Sequence, residues 1–166
     1  ANVAAAKATA AAAGLLGRRL YVELGFPANI PFADNYVDLL VLPEAALTGY
    51  FLEGGVSEAA VSVEEVVEGL GVPPEGGPDL VLGFYERWRR GIHNSAVYLE
   101  RQSDGYRPLH VHRKIFLPTY GIFEESRFAD PGRDVAAFDT PLGRMGLLVC
   151  EDMWHSLLPA ILAVDG

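Results

Sequence analysis

Residues 144–156 read RMGLLVCEDMWHS: a short run apolar on both faces, closed by the only cysteine of the chain and followed at once by two acids, a tryptophan and a histidine. A run of that length with no polar face fits a strand covered on both sides. DLLVLPE (38–44) has the same character, whereas NSAVYLE (94–100) and PLHVHRK (108–114) alternate as a half-exposed hairpin would. Buried strands of one kind and alternating strands of the other, mixed with helices, predict an α/β layered fold.

The helices are written in two different ways. NVAAAKATAAAAGLLGRR (2–19) is helical by alanine propensity, with Asn2 as N-cap and Gly14 and Gly17 as stops. SVEEVVEGL (62–70) sets Ser62 three residues before Glu65, a capping-box spacing, and places Val63, Val66, Val67 and Leu70 at i, i+3, i+4 and i+7. Further runs of strand length are LYVEL (20–24), DLVLGFYE (79–86) and HNSAVYLE (93–100), while VPPEGGPD (72–79), QSDGY (102–106) and DTPLGRM (139–145) carry turn chemistry. There is no internal repeat, and residues 1–166 are expected to form a single domain.

Composition removes several classes of function. Half of the 166 residues are hydrophobic, enough for a substantial core. The net charge of -9 argues against a nucleic-acid partner or an anionic membrane surface, both of which are bound through Lys and Arg. The longest apolar tract, Val3 to Leu16, is interrupted by Lys7 and too short and alanine-rich to span a bilayer. A single cysteine makes no internal disulfide, which fits a reducing compartment, so a cytoplasmic location is expected. No glycine loop matches a nucleotide fingerprint, and no cofactor is expected.

Three unusual polar residues close strand-like runs: Glu44, Lys114 and Cys150. Ligands of open α/β sheets collect beyond the carboxyl ends of strands. Taken singly, a lone Cys after a strand is ordinarily a packed small hydrophobe, and Glu or Lys there is ordinarily surface charge. Together they supply a nucleophile, a base and a fixed cation, the requirements of acyl transfer. His110 and His112 share a strand face, so a metal pair is conceivable, but no third ligand completes it and no metal is expected. His155 could pair with the thiol, although five residues along the chain it ordinarily points elsewhere.

Three blocks resemble the nitrilase, or carbon-nitrogen hydrolase, family: LLVLPEAALTGY (39–50), HRKIFLPTYGIFEESRF (112–128) and GRMGLLVCEDMW (143–154). The wording is closest to the glutaminase domains of glutamine-dependent NAD synthetases. The resemblance implies a four-layer α-β-β-α sandwich, with further strands and helices beyond Gly166 and residues before Ala1, so a sandwich incomplete on its C-terminal side is expected. It implies a Glu44, Lys114, Cys150 triad hydrolysing an amide C–N bond through a thioester, with ammonia released. Tyr50, Tyr120, Phe123, Glu125 and Glu151 are implied to bind substrate, the Glu151 N–H joining Lys114 at the oxyanion. A glutamine-like small carboxamide is the implied substrate, with a homo-oligomer and an ammonia-accepting synthetase domain as implied partners. The alternatives are a stand-alone aliphatic amidase or N-carbamoyl hydrolase, and a non-catalytic partner-binding fragment.

Overall fold

The computed structural model describes residues 37–166 apart from 53 and 74. The alanine-rich helix at 2–19 and the run at 20–24 lie outside the described residues. In chain order the elements are β1 (Leu39–Val41), α1 (Val56–Ala59), α2 (Val63–Leu70), β2 (Asp79–Trp88), β3 (Gly91–Gln102), β4 (Gly105–Arg113), β5 (Phe138–Thr140), β6 (Gly143–Met145) and α3 (Leu157–Asp165). Two 3-10 turns, Glu125–Arg127 and Cys150–Trp154, carry residues of the second and third sequence blocks. No helix among the described residues is long and apolar enough to cross a membrane.

The main sheet runs β1-β2-β3-β4, with β1 parallel to β2 and the other pairs antiparallel. Two tight turns join β2 to β3 and β3 to β4, the second at the QSDGY turn. Between Tyr98↔His110 and Leu99↔Pro108 the register slips by one residue, at the β4 position whose proline has no N–H to give the ladder. Gly83 pairs with Ala96, and Ser95 with Arg113, so the last residues of β4 lie beside the middle of β3.

Strand periodicity divides the side chains of β2 between two clusters. Leu80, Leu82 and Phe84 pack with Val97, Leu99 and Val66, and with Val63 and Val67 of α2. Tyr85 points the other way, into Ala45, Val56, Ala60 and Ala129. The face of α2 written by its valines is therefore the buried face. Its capping box is formed as expected: Ser62 Oγ accepts from Glu65 N, and Glu65 Oε2 accepts from Ser62 N. Such a cap stabilises a helix by about 0.5–2 kcal/mol.

Three strand expectations are corrected. NSAVYLE is not half-exposed: β3 lies between β2 and β4 and is buried from His93 through Leu99. Its polar residues meet buried acceptors instead: Asn94 donates to Glu44 and Glu125, and Ser95 Oγ donates to Glu86 Oε2 at 2.7 Å on the other face. DLLVLPE is not covered on both faces, since β1 is three residues long, pairs only with β2 among the described residues, and leaves Val41 63 % exposed. RMGLLVC is strand only at Arg144 and Met145, the end of β6, where β5 supplies the hydrogen bonds; residues 146–149 have no ladder partner among the described residues. Apolar pattern records burial, and a strand also needs a neighbour.

Candidate active site

Glu44 leaves β1 on a turn whose next residue, Ala45, is buried with φ +49, a left-handed conformation that strains a residue carrying a Cβ. The turn lies directly on β2. A Cβ on Gly83 would meet Ala45 N at 2.6 Å, Pro43 O at 2.7 Å and Glu44 Cα at 2.9 Å, so only glycine lets the Glu44 backbone approach this closely. Lys114 follows β4, and its N–H donates to Asn94 O at 2.8 Å, continuing the β3-β4 ladder. The ammonium is thereby directed inward, where it is fully buried.

Lys114 Nζ donates to Glu44 Oε1 and to Glu125 Oε2, both at 2.7 Å. Asn94 Nδ2 donates to Glu44 Oε1 at 2.7 Å and also to Glu125 Oε1. Tyr50 OH donates to Glu125 Oε2 at 3.2 Å. Burial alone would lower the Lys114 pKa, but hydrogen bonds and charge from Glu125 and Glu44 outweigh it and hold the ammonium above the ordinary lysine value. Burial, reinforced by the two carboxylates, pushes Tyr50 and Tyr85 well above the ordinary phenol range, so both rings remain protonated donors.

Cys150 opens its 3-10 turn with φ +46, so the chain bends sharply and leaves the cysteine exposed. Partial burial and the adjacent Glu44 carboxylate raise its thiol pKa; Lys114 and the Glu151 N–H pull the other way without prevailing. The acids that follow point elsewhere. Glu151 Oε2 accepts from Tyr120 OH at 2.6 Å. Asp152 is fully buried: Oδ1 accepts from Ile115 N at 3.0 Å and Phe116 N at 2.9 Å, and Oδ2 accepts from His112 Nε2 at 2.7 Å. One carboxylate thus binds the cysteine turn to the segment that begins with Lys114.

The structure therefore brings Glu44, Lys114, Glu125 and Cys150 together, although the chain runs through β2 to β6 between Glu44 and Cys150. Tyr50, Tyr120 and Phe123 form an edge-to-face aromatic group beside Glu125, and Glu151 joins it through Tyr120. A cavity of about 580 Å³ opens on this wall, lined by Tyr50, Phe51, Tyr85, Phe123 and Glu125 among others. Cys150, Glu44 and Lys114 do not line it, so the cavity adjoins the polar cluster through Tyr50 and Glu125. His110 stacks on Phe138 at 4.3 Å while His112 is committed to Asp152, and among the described residues no group of three potential ligands could hold a metal. His155 stacks on Phe116 at 3.6 Å and does not reach the thiol as a partner.

Asn94 and Asp152 escaped the sequence reading as site residues. The available signals were polar residues in unfavourable places: Asn-Ser inside a long strand run, where Asn is disfavoured, and a second acid after an apolar run.

A profile of the carbon-nitrogen hydrolase family matches residues 3–166, and the chain belongs to that family. A glutamine-dependent NAD(+) synthetase of Thermotoga maritima is 29% identical over 136 residues, covering 76% of this chain and 22% of the relative. The chain thus spans about a fifth of the length of that curated relative. A glutamine-dependent NAD+ synthetase from Acinetobacter baumannii, solved with ADP, superposes with TM-score 0.59 at 24% identity over 74% of this chain and 23% of its own. A carbon-nitrogen hydrolase from Helicobacter pylori G27 superposes with TM-score 0.60 at 24% identity over 78% of this chain and 45% of its own. These likenesses show the α/β fold.

Proposed function

We propose that this domain hydrolyses the carboxamide of a small molecule, glutamine foremost, with Cys150 as nucleophile and Glu44 as general base. Cys150 Sγ attacks the carbonyl carbon as Glu44 takes the thiol proton. The C–N bond breaks, the nitrogen takes that proton from Glu44 and leaves as ammonia, and a thioester remains on Cys150. Water, giving a proton to Glu44, attacks the thioester and releases the carboxylic acid and the thiol. Lys114 and the Glu151 N–H stabilise the oxyanion of each tetrahedral intermediate; one such donor contributes about 3 kcal/mol. Tyr50, Tyr120 and Phe123 form the substrate wall.

The observation that carries this reading is a buried ammonium 2.7 Å from Glu44, next to an exposed thiol whose raised pKa keeps it protonated until a base acts. Glutamine is favoured because the relatives are named for using it. Their remaining length supports a synthetase domain, on the same chain or a partner, as the acceptor of the ammonia. Incubation with glutamine and acid trapping should leave an acyl adduct on Cys150. Normal ammonia release by Cys150→Ser, or an adduct elsewhere, sinks the proposal. Glu44→Gln should slow release on the order of 10²- to 10⁴-fold with unchanged circular dichroism.

A further inference from the structure

Asn94 is the fourth of the 12 residues of β3, pairs with Tyr85 in the β2 register, and lies beside Lys114 through the Lys114 N–H to Asn94 O bond. It is completely buried. One amide nitrogen has two hydrogens, and here they go to two different carboxylates, Glu44 Oε1 and Glu125 Oε1. Lys114 bridges the same two carboxylates from the other side. The four side chains form a closed ring of alternating donors and acceptors. The remaining amide oxygen, Asn94 Oδ1, is buried with no partner among the described residues. Both amide hydrogens are spent on carboxylates, so the residue is held there for its donors.

We propose that Asn94 is a positioning residue for the base: with Lys114 it occupies Glu44 Oε1, fixing that carboxylate against Glu125 and leaving Oε2 as the oxygen that takes the thiol proton. Among the described residues no hydrogen bond reaches Glu44 Oε2. A neutral double donor suits this place. It holds two carboxylates near each other without adding a second positive charge, which would make Glu44 a weaker base. The groups facing the amide are Glu44, Glu125, Lys114, Tyr50, Tyr85 and, beyond Glu44, Cys150. The two phenols are protonated and the lysine is charged. The inference rests on the proposed reaction.

Asn94→Asp and Asn94→Ala test it in the intact protein, with circular dichroism as the fold check. The first readout needs no substrate: the pH profile of Cys150 alkylation by iodoacetamide. Asn94→Asp adds a titrating acid against two carboxylates, so its profile should move to higher pH, with at least about tenfold slower labelling at neutral pH. The second is ammonia release from glutamine. Both variants should lose kcat by about 10²-fold with KM within threefold, since a displaced general base costs on the order of 10²- to 10⁴-fold. A folded Asn94→Asp with the wild-type alkylation profile overturns the inference. So does a folded Asn94→Ala with wild-type kcat, or losses confined to KM or to thermal stability. Should Asn94→Asp fail to fold, Asn94→Ala alone decides by its kcat. If the wild type releases no ammonia yet Asn94→Asp shifts the alkylation profile, the proposed reaction falls and the network around Glu44 stands.

Discussion

Glu125 has both carboxylate oxygens engaged from within, by Lys114, Asn94 and Tyr50, and is only 4 % exposed. A carboxylate so occupied has little capacity left for a substrate ammonium. Glu125→Gln should therefore lower kcat on glutamine and on a neutral aliphatic amide alike; a loss confined to glutamine would mean that the carboxylate reads the amine. Cys150 supplies a pH signature. Burial, with Glu44 behind it, raises the folded thiol pKa above the unfolded one, so the native state holds that proton more tightly. The stability this contributes is complete below the ordinary thiol value near pH 8.5 and is lost as pH rises through the higher folded value. Wild type should lose denaturant resistance with alkaline pH more steeply than Cys150→Ser, and parallel curves would remove thiol burial as the cause. Glu44, Lys114 and Cys150 were legible in sequence as candidates because each closes a strand-like run and the blocks around them are distinctive. Asn94 was not, because its meaning comes from two carboxylates 50 positions before it and 31 after it.

At the level of elements, the site depends on close contacts between segments more than on the strength of any one. Gly83 in β2 lies under the Glu44 turn, and a methyl group there would press into backbone atoms that cannot rotate away. Gly83→Ala should cost about 1–3 kcal/mol, as overpacking does, and should also lower kcat by displacing Glu44. Chemical denaturation and ammonia release measure the two effects, and unchanged kcat in a destabilised protein would separate the turn from the chemistry. Asp152 makes the corresponding connection on the other side, joining the cysteine turn to Ile115, Phe116 and His112. Asp152→Ala leaves those donors buried without an acceptor, and a buried donor left so costs about 1–3 kcal/mol, visible as a lower denaturation midpoint. Periodicity revealed α2 and its cap because both are local. It misjudged β3, where polar side chains serve the interior, and the 144–150 run, where strand length depends on partners the pattern does not encode.

At the scale of the whole molecule, one feature of the described residues that the site does not explain is an apolar stripe just after it. Leu157, Ile161 and Val164 of α3 are spaced i, i+4 and i+7, so they line one face of the helix; they are 63 %, 38 % and 90 % exposed. Met153 and Trp154 of the preceding turn are also 64 % and 82 % exposed, while Leu158 alone in α3 is buried. Monomeric proteins rarely expose a large contiguous apolar patch, which makes this helix face a candidate contact surface. A net charge of -9 opposes association of copies at low salt, and screening weakens that repulsion while leaving apolar burial intact. The expected outcome is self-association that strengthens between low and physiological ionic strength, with Trp154 emission shifting to the blue as its indole leaves water. Leu157→Glu with Ile161→Glu should abolish both effects without altering ammonia release per chain, since neither residue touches the Glu44, Lys114 and Cys150 cluster. Light scattering across a concentration series at two salt levels decides the matter: a monodisperse monomer under every condition would mean that this stripe is not a contact surface between copies.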